Sequence, residues 1–264
     1  VSDLALFGYS YDVPQNVNYT ETFDNNAYNA NMFYTMSNVA PLSPSYLTVE
    51  NDALKFSNTA GAHITTRYTY SNFELQFDAV DLQRTAVLDE KGNILKLISN
   101  WFSIAFGVDK VNQLPESTNV LATSLQVEGM PSDSRTDQTM PYEMPRLILW
   151  DKGKAQDIKA MSYNIWNAEQ FDGKVVNVKF SMKDGLVQLW MKTAEDEAWG
   201  EPQYAYNLGY TPSGYVRIFT WGQNSVTANG LKYNSIANFT IDNLSIKNTD
   251  YEGVRQVYSS IEYK

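Results

Sequence analysis

The chain has no cysteine and a single histidine. Without cysteine there are no disulfides, no thiolate nucleophile and no cysteine-bound zinc. A serine triad would have to use His63, which stands in Gly61-Ala-His-Ile-Thr-Thr66 with no carboxylate nearby in sequence and reads as a structural residue. No Gly-x-Ser-x-Gly elbow, phosphate-binding loop, dinucleotide fingerprint or histidine-rich metal motif is present. Basic residues are outnumbered, 20 Lys and Arg against 30 Asp and Glu, giving a net charge of −10. A phosphate backbone or an anionic membrane surface would be repelled, which argues against nucleic acid and lipid partners. No apolar run approaches the roughly 18 residues of a membrane-spanning helix, so no membrane insertion is expected. The first residue is Val, consistent with a processed or trimmed secreted chain and equally with a chosen boundary.

What is present is period-two alternation. In Phe171 to Lys192, Val176, Val178, Phe180 and Met182 alternate with Asn177, Lys179 and Ser181; after Asp184-Gly185, Val187, Leu189 and Met191 alternate with Gln188, Trp190 and Lys192. Two such runs around Asp-Gly predict a β-hairpin with one apolar face, which needs a second sheet packed on it. The same alternation predicts strands at Tyr19 to Phe23, Tyr46 to Val49, Ala53 to Ser57, His63 to Arg67, Phe73 to Asp78, Trp101 to Gly107, Arg146 to Trp150, Gly214 to Trp221 and Phe239 to Ile246, with another at Leu121 to Val127. The stretch from Ala27 through Pro41 and Pro44 reads as a polar loop, and Pro131 to Met140 as a long one. No segment longer than about ten residues has helical period. The expectation is one all-β domain, an antiparallel two-sheet sandwich over residues 20–248, with a lead-in at 1–19 and an extension at 249–264. Its core would include Val176, Val178, Phe180, Val187, Leu189, Val216 and Ile218. An all-β chain without cysteine points to a bacterial protein.

Aromatic residues make up 14% of the chain, and several tryptophans fall on the phase opposite the aliphatic set. Trp101 alternates away from Phe102, Ile104 and Phe106, Trp190 away from Val187 and Leu189, and Trp150 shares a phase with Arg146 and Ile148. Sugar rings stack their C–H faces on such rings while polar neighbours reach the hydroxyls. Trp101, Arg146, Trp150, Trp190 and Gln188 are therefore glycan-binding candidates on the polar face of one sheet, with Glu74 and Gln76 from the outward phase of Phe73 to Asp78. Glu74 and Asp78 do not make a hydrolytic pair. Four strand residues separate their backbones by about 13 Å, beyond the roughly 6.5–9.5 Å of an inverting glycosidase.

Taken together, Thr65-Thr66, Tyr70 to Asp78, Trp101 to Gly107, the Val175 to Lys192 hairpin, Gly214 to Ile218 and Phe239 to Ile246 resemble the concanavalin A-like lectin/glucanase superfamily in strand order and spacing. The resemblance implies a jelly roll whose concave face holds sugar. It also supplies a negative: laminarinase-like hydrolases of the superfamily carry Glu-x-Asp-x-(x)-Glu on the strand matching Trp101 to Gly107, which here has no carboxylate. The reading is a secreted or cell-surface carbohydrate-binding module, with glycan or polysaccharide as partner and no catalytic residue assigned. Two alternatives stand beside it. One is a glycoside hydrolase or lyase using Glu128, Asp133, Asp137 or Glu143; the other is a structural or adhesin domain.

The closing strand adds a last expectation. Phe239 and Ile241 share one phase and Leu244 and Ile246 the other, so the alternation slips at Asp242-Asn243, the mark of a β-bulge. In the glucanases that the chain resembles, an aspartate at this position binds a structural calcium ion, which makes Asp242 the metal candidate.

Overall fold

The computed structural model describes residues 18–36, 46–59, 62–80, 85–88, 94–110, 123–130, 144–151, 154–160, 173–193, 198–219, 225–228, 231–234 and 237–250. Eighteen strands lie among them, and no α-helix. From edge to edge, the first sheet holds β14 (Tyr204–Asn207), β13 (Leu186–Thr193), β12 (Val176–Lys183), β6 (Phe73–Val80), β18 (Ala237–Asn248), β4 (Ala53–Thr59) and β3 (Leu47–Glu50), with β1 (Tyr19–Glu21) also paired to β18. The second holds β11 (Lys154–Ala160), β10 (Met144–Asp151), β9 (Thr123–Met130), β8 (Ile94–Val108), β15 (Gly214–Phe219), β5 (His63–Tyr70) and β2 (Phe33–Met36), with β7 (Thr85–Leu88) on β8. A separate hairpin joins β16 (Ser225–Ala228) to β17 (Leu231–Asn234). The architecture is the expected all-β, two-sheet antiparallel sandwich.

The Asp-Gly hairpin forms as its residues dictate. Asp184 (φ 51) and Gly185 (φ 81) both take the left-handed conformation of a two-residue turn between right-twisted strands. Glycine is required there for a second reason, since a Cβ on Gly185 would lie 2.6 Å from the carbonyl oxygen of Tyr210. Val178 then faces Met191 and Phe180 faces Leu189. On the other side β12 meets β6, which sets Phe180 opposite Leu75. Val176, Val178, Phe180, Val187 and Leu189 are wholly buried, and Val216 and Ile218 of the second sheet are 2% exposed.

Aromatic side chains lock the sheets together. Phe77 of β6 meets Phe102 of β8 edge-on at 5.1 Å between ring centroids, and Phe180 of β12 meets Phe106 of β8 at 5.3 Å. Contacts of this kind are favoured by the ring quadrupole as well as by area removed from water.

Two expectations change. The segment from Ala27 is not all loop, for Phe33–Met36 forms β2; Phe33 and Thr35 are buried, so the pairing with β5 gives these residues a core-side phase that the Asn-rich surroundings conceal. The strand expected at Trp101 to Gly107 begins earlier, at Ile94, because β7 pairs with its first half. Strands β11, β14, β16 and β17 were likewise not read from the sequence. The lead-in residues 1–17, the loop 131–143 and residues 251–264 lie outside the described residues.

Candidate functional site

The outward faces of the two sheets lie on opposite sides of the core, and the predicted glycan residues are divided between them. Trp190 and Gln188 of β13 and Glu74 and Gln76 of β6 belong to the first sheet. Trp101 of β8 and Arg146 and Trp150 of β10 belong to the second. The expectation of a single cleft using all of them is therefore corrected. Alternation gives the phase of a side chain within its strand but not the sheet to which the strand belongs.

On the first sheet the polar groups satisfy one another. Gln76 Nε2 donates to Glu74 Oε1 at 2.6 Å, and Lys247 Nζ reaches the same oxygen at 2.8 Å. Burial pushes the Glu74 carboxyl up, but the hydrogen bonds from Lys247 and Gln76 outweigh it and hold the group below its ordinary range. Lys179 Nζ sits 4.1 Å from the ring centroid of Trp190 and 4.8 Å from that of Trp199, while Lys192 lies 5.0 Å from the Trp199 ring. A face of Trp190 that a sugar would need is thus in contact with the protein's own ammonium group.

The second sheet is arranged differently. Its strand registers align Trp150, Ser124, Ala105, Arg217, Thr65 and Tyr34 in one row across six strands. A neighbouring row contains Gln126, Ser103, Phe219, His63 and Met36. These are the outward positions, since the alternate residues Leu149, Ile104, Ile218 and Ile64 belong to the core. Trp150 and Tyr34 are half-buried, whereas His63, Thr65, Ser103, Phe219 and Arg217 are buried. Ala105, Val108 and Phe219, with Tyr215 against them, form a small second apolar cluster on this side. Arg146 stands opposite Glu128 of β9, at the next outward position to Ile148 in the same strand. Trp101 lies two residues before Ser103 in β8, and the side chains of Trp101 and Arg146 are outside the described residues.

A connected polar group crosses the middle of this face. Arg217 Nε donates to Thr65 Oγ1 at 2.8 Å, and Arg217 NH2 donates to the Lys110 carbonyl at 2.9 Å. Thr65 Oγ1 is 2.9 Å from His63 Nδ1. Burial pushes His63 down to about 2, assisted by the Arg217 charge, and burial likewise brings Arg217 down to about 10. The imidazole is accordingly neutral. His63 is thus a buried, neutral member of this network, in keeping with the structural role its lone position in sequence suggested. Arg217 was missed, though a charged residue on the outward phase between Val216 and Ile218 was a usable signal.

The predicted bulge is present: between the pairs Asp242–Asp78 and Ser245–Gln76, Asn243 and Leu244 of β18 stand against Phe77 alone of β6, with Asn243 at φ 50. Asp242 faces Asp78 there, and burial, followed by the charges of Asp78, Asp24 and Asp52, raises its carboxyl. Asn243 answers part of that charge. Its backbone N–H donates to Asp242 Oδ1 at 2.7 Å and its side-chain amide to Asp78 Oδ2 at 2.8 Å. Crowded carboxylates have the donor chemistry that calcium requires. The geometry does not form a cage, since no group of three acidic or histidine side chains among the described residues converges as a metal site. Of the loop carboxylates considered for catalysis, Glu128 lies in β9 and Asp133, Asp137 and Glu143 are outside the described residues.

Comparison with solved structures bears on this arrangement of sheets. The metal-free lectin I-B4 of Griffonia simplicifolia aligns with a TM-score of 0.52 at 8% identity, over 88% of this chain and 98% of that one. The Ca2+-bound exoplasmic/lumenal domain of VIP36 aligns with a TM-score of 0.50 at 6% identity, over 84% of this chain and 86% of that one. The chain has the concanavalin A-like lectin/glucanase fold. A Bacillus licheniformis beta-glucanase also aligns, with a TM-score of 0.48 at 10% identity over 88% of this chain and 97% of that one. The metal-free VIP36 domain matches with the same TM-score of 0.50 as the calcium-bound one, so the likeness does not bear on calcium. No protein-family model matches the chain, and no curated protein matches it in sequence. Lectins and glycoside hydrolases share this concanavalin A-like fold, so identities this low speak to architecture alone.

Proposed function

We propose that this protein is a carbohydrate-binding, lectin-like domain that takes a glycan on the outward face of its second sheet, in a secreted or cell-surface bacterial setting. The observation that carries the reading is the row of Trp150, Ser124, Ala105, Arg217, Thr65 and Tyr34, which sets half-buried Trp150 and Tyr34 at the two ends of a row whose middle residues Ala105, Arg217 and Thr65 are buried between them. Trp150 and Tyr34 are the half-buried stacking candidates, the Tyr34 ring having the Arg67 guanidinium 5.5 Å from its centroid; Trp101 and Arg146, in β8 and β10 of the same sheet, remain candidates beside them. The first sheet suits this role less well, because Lys179 already lies against Trp190. A calcium ion at Asp242 is proposed as structural, supported by the carboxylates crowded at the bulge.

A glycan array followed by affinity electrophoresis on the hits tests the reading. Trp150→Ala should abolish retention while leaving the melting temperature nearly unchanged, whereas Trp190→Ala should leave retention intact. Retention lost with Trp190 and kept without Trp150 would move the site to the other face. Release of reducing ends from a bound glycan would identify a hydrolase instead.

A further inference from the structure

One edge of the first sheet is closed by a side chain. β14 is the outermost strand there, yet it covers only half of β13: Leu186 to Leu189 pair with Asn207 to Tyr204, while β13 runs on to Thr193. Trp190 to Thr193 have β12 on one side and, among the described residues, no strand on the other. The sequence explains where β14 begins. Continued by two residues, its register sets Gln203 opposite Trp190 and Pro202 opposite Met191. Met191 directs both its backbone N–H and its C=O toward that side, and a proline has no N–H to give the carbonyl. Gln203 supplies what Pro202 lacks. Its Nε2 donates to the Met191 carbonyl oxygen at 2.7 Å, and its Oε1 accepts the Met191 N–H at 2.8 Å. A carboxamide has the donor and the acceptor of a peptide group, so this side chain stands in for one residue of a strand. The Trp199 ring, 4.8 Å from Lys179 Nζ and 5.0 Å from Lys192 Nζ, ties the same connection to the outward face of the sheet.

We propose that Gln203 is an edge lock: it occupies the hydrogen-bonding site at Met191 where a strand from a second copy of this chain would join β13. An unpaired N–H and C=O on a sheet edge is a template for another chain. A second copy fits that template, because two opened edges meet antiparallel across a two-fold axis and need no further complementarity. The remainder of the edge is β14, whose four residues are too few to hold a partner firmly. The inference is independent of the carbohydrate reading, which concerns the other sheet.

Backbone hydrogen exchange and sedimentation velocity on the full chain test it, with the parent beside Gln203→Ala and Gln203→Met over a wide range of protein concentration. Methionine keeps the length of the side chain without its amide, which separates loss of the lock from loss of volume. In the parent the Met191 amide should be protected like those of Val187 and Leu189. In the dilute variants it should exchange at least roughly tenfold faster, while Phe180 in the interior of the sheet keeps its protection. On concentration both variants should associate further than the parent, and protection at Met191 should return. A Met191 amide that exchanges freely in the parent overturns the inference, as do variants that sediment like the parent at every concentration. Should Gln203→Ala lose the Phe180 protection as well, the sedimentation of Gln203→Met decides.

Discussion

At the scale of single residues, His63 gives the molecule a pH dependence of known sign. Its ordinary value is 6.5 and its folded value about 2, so above 6.5 it is neutral whether the chain is folded or not. Below that, the unfolded chain binds a proton that the native state refuses, and stability falls by about 1.4 kcal/mol per pH unit until the folded value is approached. Urea titrations of the parent and of His63→Gln at several pH values between about 6 and 4 should diverge by that slope. Parallel lines would show that the ring is not excluded from water as described. Phe180 makes a different case. It is wholly buried and touches rings of both sheets, Phe73 at 5.7 Å and Phe106 at 5.3 Å. Phe180→Ala should cost about 3–5 kcal/mol in chemical denaturation, since neither sheet can close the cavity without moving the other. Glycan binding should persist wherever the variant remains folded.

Among elements, β18 carries the test of the metal. If calcium binds at Asp242, adding it should raise the melting temperature as the logarithm of free ion above its dissociation constant, and chelator should reverse the gain. Asp242→Ala should then melt identically in both buffers. Identical curves for the parent would leave the acidic bulge held by Asn243 and its neighbours alone. The bulge itself was legible, because apolar residues change phase between Ile241 and Leu244, and so was the β12–β13 hairpin, through two clean alternations around Asp184-Gly185. Strands β2 and β14 were not, being four residues each, too short for an alternation that stands out from a loop. Of the site, the phase of Trp150 could be read, yet the union of His63 with Arg217 could not. Their link runs through the Arg217–Thr65 hydrogen bond, which spans 152 positions in sequence, and only strand order brings β5 beside β15.

For the molecule as a whole, the first and last of the described strands meet. Tyr19 pairs with Ile246 and Glu21 with Leu244, while the rest of β18 lies between β6 and β4 in the interior of its sheet. A chain ending before Ala237 would leave β1, β4 and β6 without a pairing partner and Leu54, Phe56, Leu75 and Phe77 without their neighbour. Such a truncation should show no cooperative unfolding transition and should sediment as aggregate, whereas one ending after Asp250 should unfold as a single unit. A folded, monomeric product of the shorter chain would mean that the sheets close without their central strand. On the ribosome the same placement becomes a matter of timing. The segment that fills the gap leaves the exit tunnel after every other strand of that sheet, so each earlier strand waits beside an open seam until it emerges. Nascent molecules crowded on one message therefore offer each other complementary edges for the whole of that interval, and a chaperone that shields the seam should raise the yield more than one that accelerates folding afterwards.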